Sequence, residues 1–141
     1  MTKDVKITLY TNQTLADGSN QDITISARGR YYYKGKRHHL IYDYIDDGLG
    51  SNIHDYIKVQ EDLIEIKRSG AINSKLIYDI AKKSIAKYSN PYLTFDLAID
   101  THDIRIEQKN NLIKVLIDYS QDINKEYFCR ANLQIIIEPD I

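Results

Sequence analysis

The residue of this chain with the clearest chemistry is Arg68, in the stretch "LIEIKR" at residues 63–68. Ile64, Ile66 and Arg68 stand at every second position, so in a strand they project to the same face. Burying an unpaired guanidinium costs several kcal/mol, so this arginine must meet a partner. Two interpretations remain open: Arg68 closes one end of a barrel against backbone carbonyls or an internal aspartate, or it anchors the carboxylate or phosphate of a ligand.

Tyrosines in phase with apolar residues would complete such a ligand site. The chain has 12 tyrosines. Tyr33 is in phase with Ile25, and Tyr42 and Tyr44 follow Leu40 at alternate positions. A buried phenol hydroxyl seeks a hydrogen-bond partner, so tyrosines on an inner face favour a polar network there. The predicted ligand-binding residues are Arg68, Tyr33, Tyr42, Tyr44 and Tyr88.

A second candidate surface lies on the opposite face of the segment that contains Tyr33. Its side chains are basic with one interleaved aromatic ring, and no acidic residue occurs between Asp22 and Asp43. Single-stranded nucleic acid requires cations for its phosphates and flat rings for its bases. The alternative is a solvated outer strand whose charges pair with Asp43, Asp46 and Asp47, and the net charge of −1 favours it. The candidate polyanion-binding residues are Arg28, Arg30, Tyr32, Lys34 and Arg37.

Catalytic and metal-binding constellations are missing from the sequence. His38 and His39 are adjacent, so a strand would point them to opposite faces, and neither has a Cys or His at zinc-like spacing. Ser69 stands in a predicted turn without an assignable base. Cys129 alternates with apolar residues and is expected to be a buried hydrophobe. We therefore expect no enzymatic activity, no metal and no cofactor.

The elements that position these residues are predicted to be strands. Apolar residues alternate with polar ones over many short segments, and Gly- or Asn-containing turns separate them. Segment 74–88 also fits helical spacing, but its β-branched residues favour strands with a kink. The pattern predicts one all-β domain over residues 1–141, an antiparallel meander that closes into a barrel of about eight to ten strands. Closure would protect the edges of the meander.

Length and composition favour one domain in a reducing compartment. A chain of 141 residues can bury a core without staples, and its single cysteine cannot form an intramolecular disulfide. The first ten residues alternate charged and apolar side chains, and no apolar run reaches bilayer-spanning length. We therefore expect a cytoplasmic protein with no membrane partner, which forms a homodimer if an edge strand is left unpaired.

Scattered positions along these strands carry a family resemblance: Gly29, Tyr32 or Tyr33, Lys34, 40–42, 68–70, 87–92, Thr101, Ile104, Tyr119 and Asn132. In the order and spacing of these positions, the chain resembles the YwiB-like family of uncharacterised bacterial proteins, which adopt a lipocalin-like (calycin) β-barrel. The resemblance extends over nearly the whole chain, but Tyr44 replaces an acidic residue and Leu93 replaces a glycine. It implies a barrel able to hold a small molecule, and it implies no established activity.

Together these observations predict a binding module for a small anionic or amphipathic molecule in the barrel interior. Apolar walls would contribute burial, while Arg68 and the tyrosine hydroxyls would orient the ligand. The first alternative is a nucleic-acid- or polyanion-binding protein that uses the basic outer strand. The second is a scaffold or assembly subunit with a packed interior and no ligand.

Overall fold

A computed structural model describes residues 3–46 and 50–140, and within them the chain forms ten strands. The alternating segments of the sequence coincide with these strands. In chain order they are β1 (Lys3–Leu15), β2 (Asn20–Lys34), β3 (Arg37–Asp46), β4 (Ser51–Val59), β5 (Leu63–Gly70), β6 (Ser74–Asp79), β7 (Ser84–Ser89), β8 (Thr94–Lys109), β9 (Leu112–Ile123) and β10 (Glu126–Pro139).

All ten strands belong to one antiparallel sheet. Its order is β6-β5-β4-β3-β2-β1-β10-β9-β8-β7, so strands that follow each other in the chain pair with each other, except β6 with β7, and β1 also pairs with β10. The two end strands meet at one point, where the backbones of Asn73 and Ser89 exchange hydrogen bonds of 2.8 and 2.9 Å. The sheet is therefore a nearly closed barrel, which confirms the predicted all-β fold at the upper end of the predicted strand number.

The core fills the barrel interior with the inward residues of the alternating strands. Ile7, Leu40, Ile57, Ile66 and Ile135 come from five different strands, and each is at most 1% exposed. Burying an aliphatic side chain of this size contributes roughly 1.5–3 kcal/mol. Period-two alternation therefore defines the inner face wherever a strand is regularly paired.

Segment 74–88 is two strands with a turn between them, as its β-branched content predicted. The turn spans residues 80–83, and the Asp79 carboxylate accepts a hydrogen bond of 2.9 Å from the Ala81 amide. Segments 95–99 and 104–107 belong to one strand, β8, whose pairing with β9 is irregular between Thr101 and Asp103. Residues 3–46 and 50–140 contain no helix long and apolar enough to cross a bilayer.

Gly29 sets how closely β2 and β3 approach each other on the inner face. It lies directly opposite Tyr42 in the β2–β3 register. A Cβ atom on residue 29 would stand 2.8 Å from the Cβ of Tyr42 and would overlap the Ile41 carbonyl oxygen. Only glycine fits without movement here, and Tyr42 is therefore placed deep in the wall.

Candidate ligand-binding site

A cavity of about 350 Å³ occupies one end of the barrel. Every strand except β3 and β4 contributes side chains to it. Most of the lining is aliphatic or aromatic. Its polar part consists of Thr11, Gln13 and Gln121 together with Arg68 and Ser74, which stand side by side on paired positions of β5 and β6. Representative apolar lining residues are Leu9, Ile25, Leu76, Phe95, Leu97 and Leu133.

Arg68 is held by a buried carboxylate. Asp55 is 0% exposed and accepts two hydrogen bonds from the guanidinium, from Nε at 2.8 Å and from Nη2 at 3.0 Å. The Tyr42 hydroxyl donates a third hydrogen bond to Asp55, at 2.6 Å. The Arg68 side chain is 16% exposed, and its guanidinium carbon lies 5.8 Å from the centre of the Tyr44 ring. The internal aspartate anticipated for Arg68 is therefore present.

The charges of this pair govern the ionisation of the groups around it. Burial disfavours the charged form of Arg68, but the hydrogen bonds and charge of Asp55 outweigh burial and hold its pKa above the ordinary value. Burial, and then the charge and hydrogen bond of Asp55, raise the pKa of Tyr42 far above that of a free phenol. Burial raises the pKa of Tyr44 to about 12, although the charge of Arg68 opposes it. At neutral pH the site therefore holds one balanced ion pair and two neutral phenols.

The Asp55 contacts leave part of the guanidinium free for the cavity. A guanidinium has five N–H donors, and Asp55 accepts two of those of Arg68. In the part of the chain that the structure describes, the other three have no hydrogen-bond partner. The neighbouring Ser74 Oγ is buried, and among the described residues it has no hydrogen-bond partner. A buried hydroxyl without a partner costs about 1–3 kcal/mol. The polar part of the wall therefore has unused hydrogen-bonding capacity.

Two aromatic pairs stiffen the rest of the wall. Tyr78 and Tyr119 pack edge to face with ring centres 5.0 Å apart. Burial raises the pKa of Tyr78 to about 12. Tyr88 stacks on Phe95 at 4.6 Å, on paired positions of β7 and β8. These rings make the cavity a preformed feature of the barrel.

The predicted ligand-binding residues divide into three groups. Arg68 and Tyr88 line the cavity. Tyr42 and Tyr44 lie behind the cavity wall and surround the Arg68 pair instead. Tyr33 is 54% exposed and packs against His38, at the opposite end of the barrel, so the prediction that it lines the cavity is wrong. The period of two gives the face of Tyr33 correctly, but it carries no information about position along the barrel axis.

Asp55 is the residue of the site that the sequence interpretation did not single out. It alternates with Ile53 and Ile57, so the same parity that marked Arg68 marks a carboxylate on the inner face. Asp55 and Arg68 are also direct register partners on β4 and β5. Asp55 could therefore have been identified as a second charged residue in phase with apolar neighbours, four positions before the end of β4.

The predicted basic residues lie on the outer surface. Arg28, Arg30, Lys34 and Arg37 are exposed, while Tyr32 is partly buried. Two of them have polar partners: Arg28 lies 3.6 Å from Asp140, and Arg37 donates a hydrogen bond of 2.7 Å to Gln60. Of the three carboxylates expected to neutralise this surface, Asp43 contacts His54, and Asp47 lies outside the described residues. Asp46 is not without a partner.

The remaining candidates are arranged as the alternation predicts. His38 and His39 project to opposite faces, where His38 contacts Tyr31 and His39 stacks on Tyr32. Cys129 is 0% exposed, and burial raises its pKa to about 11, so the thiol is a neutral core group. Within the described residues, no three His, Cys, Asp or Glu side chains come together as metal ligands would.

Comparison with known proteins agrees with this architecture. A family model described as a domain of unknown function, DUF1934, matches residues 7–135. The "Uncharacterized beta-barrel protein YwiB" of Bacillus subtilis (strain 168) is 27% identical over 139 residues, which cover 98% of this chain and 96% of that protein. The crystal structure of YwiB protein from Bacillus subtilis aligns with a TM-score of 0.86 at 22% identity, over 99% of this chain and 94% of that one. The predicted family and the barrel fold are therefore confirmed.

Proposed function

This chain belongs to the DUF1934 family, and we propose that its barrel binds a small amphipathic molecule. The apolar part of the ligand occupies the cavity, and its polar end meets Arg68 and Ser74. The observation that carries this proposal is the unused hydrogen-bonding capacity of these two neighbours in a predominantly apolar wall.

The size of the cavity supports a ligand of modest dimensions. At about 350 Å³ it lies near the lower end of the range for small-molecule sites. Its aliphatic and aromatic walls favour an alkyl chain or a ring, because each buried CH₂ group contributes roughly 0.8 kcal/mol. A folded scaffold with no ligand would be expected to close such a space with larger side chains.

The ion pair defines which polar ends are compatible. Asp55 already balances the charge of Arg68, so the site has no net positive charge to hold an anion. A ligand therefore gains hydrogen bonds from the free N–H groups of Arg68 and from Ser74 more than it gains Coulombic attraction. Neutral carbonyl or hydroxyl groups and carboxylates are both acceptable, with a modest preference for the carboxylate.

An NMR titration with octanoate and with 1-octanol tests this proposal. Saturable shifts are expected for the amides of β5 and β6 around Arg68 and Ser74, with octanoate bound less than about tenfold more tightly than octanol. Ser74→Ala is expected to weaken octanoate binding about two- to tenfold, because one hydrogen bond is worth about 0.5–1.5 kcal/mol.

A pair of matched tryptophan variants separates the cavity from the outer surface. Leu76→Trp fills the cavity and is expected to abolish octanoate binding. Leu112→Trp adds the same ring at an exposed position of the β8–β9 hairpin and is expected to bind octanoate normally. Equal binding by both variants, or shifts that never saturate, would rule out the interior site.

A further inference from the structure

The outer surface of β2–β6 carries an aromatic cluster that extends the predicted basic strand. Tyr32 and His39 are register partners on β2 and β3, and their rings stack 4.4 Å apart with a 5° interplanar angle. Tyr56 on β4 completes the cluster through hydrogen bonds of 3.1 Å to Tyr32 and 2.9 Å to His39. His39 is only 8% exposed, which is unusual for an outer-face histidine.

The hydrogen bonds of this aromatic cluster form one continuous line from Tyr32 through Tyr56 and His39 to the Lys34 carbonyl. His39 Nε2 lies 3.2 Å from the Lys34 carbonyl, which can only accept, so this nitrogen carries the proton. In the neutral ring, Nδ1 then accepts from the Tyr56 hydroxyl, and the Tyr56 oxygen accepts from Tyr32. The polar atoms of the cluster are thus used internally. The rings are held rigid, and the partly exposed Tyr32 and Tyr56 offer flat surface rather than hydrogen-bonding groups to a partner.

Cations from five strands surround the aromatic cluster. The register places Arg30 and Lys34 of β2 on the same outer face as Lys67 of β5 and Lys75 of β6. Glu65 is engaged by Lys75 at 3.0 Å and by Lys58 at 3.9 Å. Among the described residues, Arg30, Lys34 and Lys67 have no carboxylate within ion-pair distance.

From this arrangement we propose that the outer surface of β2–β6 binds single-stranded nucleic acid. Bases stack on the partly exposed rings of Tyr32 and Tyr56, which the buried His39 holds in place, while Arg30, Lys34 and Lys67 contact phosphates. Rigid aromatic rings within a field of unpaired cations are the combination that sheet-based single-strand binders use. This site is separate from the cavity, because the side chains of the two sites project to opposite faces of the sheet.

The dimensions of the surface suit a short single strand. Five adjacent strands at about 4.8 Å spacing span on the order of 19 Å, which is room for a few nucleotides. In the described residues no helix is present to enter a groove of duplex DNA, so unstacked bases are the better match. Anionic lipid is disfavoured because rigid, hydrogen-bonded rings lack an apolar side chain that would insert into a bilayer.

Fluorescence anisotropy on the full chain tests the proposal. The labelled probes are a ten-nucleotide oligouridylate, a ten-nucleotide oligodeoxythymidylate and a twelve-base-pair duplex. Both single strands are expected to bind more tightly than the duplex. Their affinity is expected to fall with a log–log salt slope of about −2, since three phosphate contacts contribute about −0.7 each. Duplex binding equal to single-strand binding would overturn the stacking model.

Two variants of equal charge locate the binding surface. The double variant Lys34→Glu/Lys67→Glu removes two proposed phosphate contacts and is expected to weaken binding more than tenfold. The double variant Lys87→Glu/Lys109→Glu changes the net charge equally at exposed positions of β7 and β8 and is expected to weaken it less than threefold. Equal losses would show that the attraction depends on net charge alone and would overturn the proposal.

A second pair of variants tests the aromatic ring itself. Tyr32→Phe keeps the ring and is expected to bind the oligouridylate within about twofold of the unmodified chain. Tyr32→Leu removes the ring and is expected to weaken binding fivefold or more, because stacking is worth about 1–3 kcal/mol per base. Circular dichroism establishes that each variant is folded. Equal affinity of the two variants, or competition by polyphosphate as effective as that by RNA, would overturn a role for base stacking.

Discussion

Replacing Arg68 with methionine is expected to lower the free energy of unfolding by about 3–5 kcal/mol at pH 7, because it leaves a buried carboxylate without its cation. Asp55 is 0% exposed and would lose both hydrogen bonds from the guanidinium, at 2.8 and 3.0 Å. Only the hydrogen bond from Tyr42, at 2.6 Å, would remain. Methionine keeps much of the apolar stem, so the loss reports the charge rather than the packing.

A double-mutant cycle distinguishes the ion pair from a general effect of mutating the core. Asp55→Asn removes the charge but can still accept a hydrogen bond from Tyr42. The double variant Arg68→Met/Asp55→Asn is therefore expected to be more stable than the sum of the single losses predicts, by at least about 1 kcal/mol. Arg30→Met, on the exposed outer face, serves as the matched control and is expected to change stability by less than about 0.5 kcal/mol.

Urea denaturation, monitored by far-ultraviolet circular dichroism, measures these differences in the free energy of unfolding. Unchanged m-values would indicate that only the midpoint moves. An Arg68→Met variant within about 1 kcal/mol of the unmodified chain would refute the reasoning. So would strictly additive losses in the cycle. Either result would mean that Asp55 is stabilised by something other than Arg68.

Three further outcomes follow from individual contacts. Gly29→Ala is expected to destabilise the fold by about 1–3 kcal/mol, measured as a lower urea midpoint, because the new Cβ meets Tyr42 at 2.8 Å; an unchanged midpoint would contradict this close approach. Burial raises the pKa of Tyr78 to about 12, so between pH 10 and 12 the unfolded chain loses a proton that the folded chain keeps. Stability should therefore fall with rising pH in this window, by up to about 2–3 kcal/mol from this group, and Tyr78→Phe should fall less; parallel curves would argue against the shift. Burial raises the pKa of Cys129 to about 11, so an aromatic disulfide reagent at pH 8 should modify it at least a hundredfold more slowly in buffer than in urea; rapid modification in buffer would show an accessible thiol.

The predicted elements and the predicted site were not equally accessible from the sequence. Alternation placed Arg68 on the inner face and His38 and His39 on opposite faces, and both placements are confirmed. The same alternation placed Tyr33 in the lining of the cavity, but Tyr33 lies at the opposite end of the barrel from it. Parity is a local property of a strand, whereas distance along the barrel axis depends on register and on the stagger of all ten strands.

The partners of the charged residues were the least predictable feature. The inner-face signal of Asp55 was present in its alternation with Ile53 and Ile57, yet its pairing with Arg68 depends on the register across the β4–β5 turn. The stack of Tyr32 on His39 likewise requires the β2–β3 register. Such contacts join residues from different strands, and no single segment contains the information to place them.

The sequence by itself determined the all-β class and the inner and outer face of each regularly paired strand segment, and therefore the chemical character of most of each surface. It did so because hydrophobic burial acts on each strand separately and enforces a period of two. Only the tertiary structure decided that β6 and β7 meet through Asn73 and Ser89, that the cavity lies at one end, and that Asp55 neutralises Arg68. These features arise from closure of the barrel, which adjusts the register of every strand to its neighbours at once.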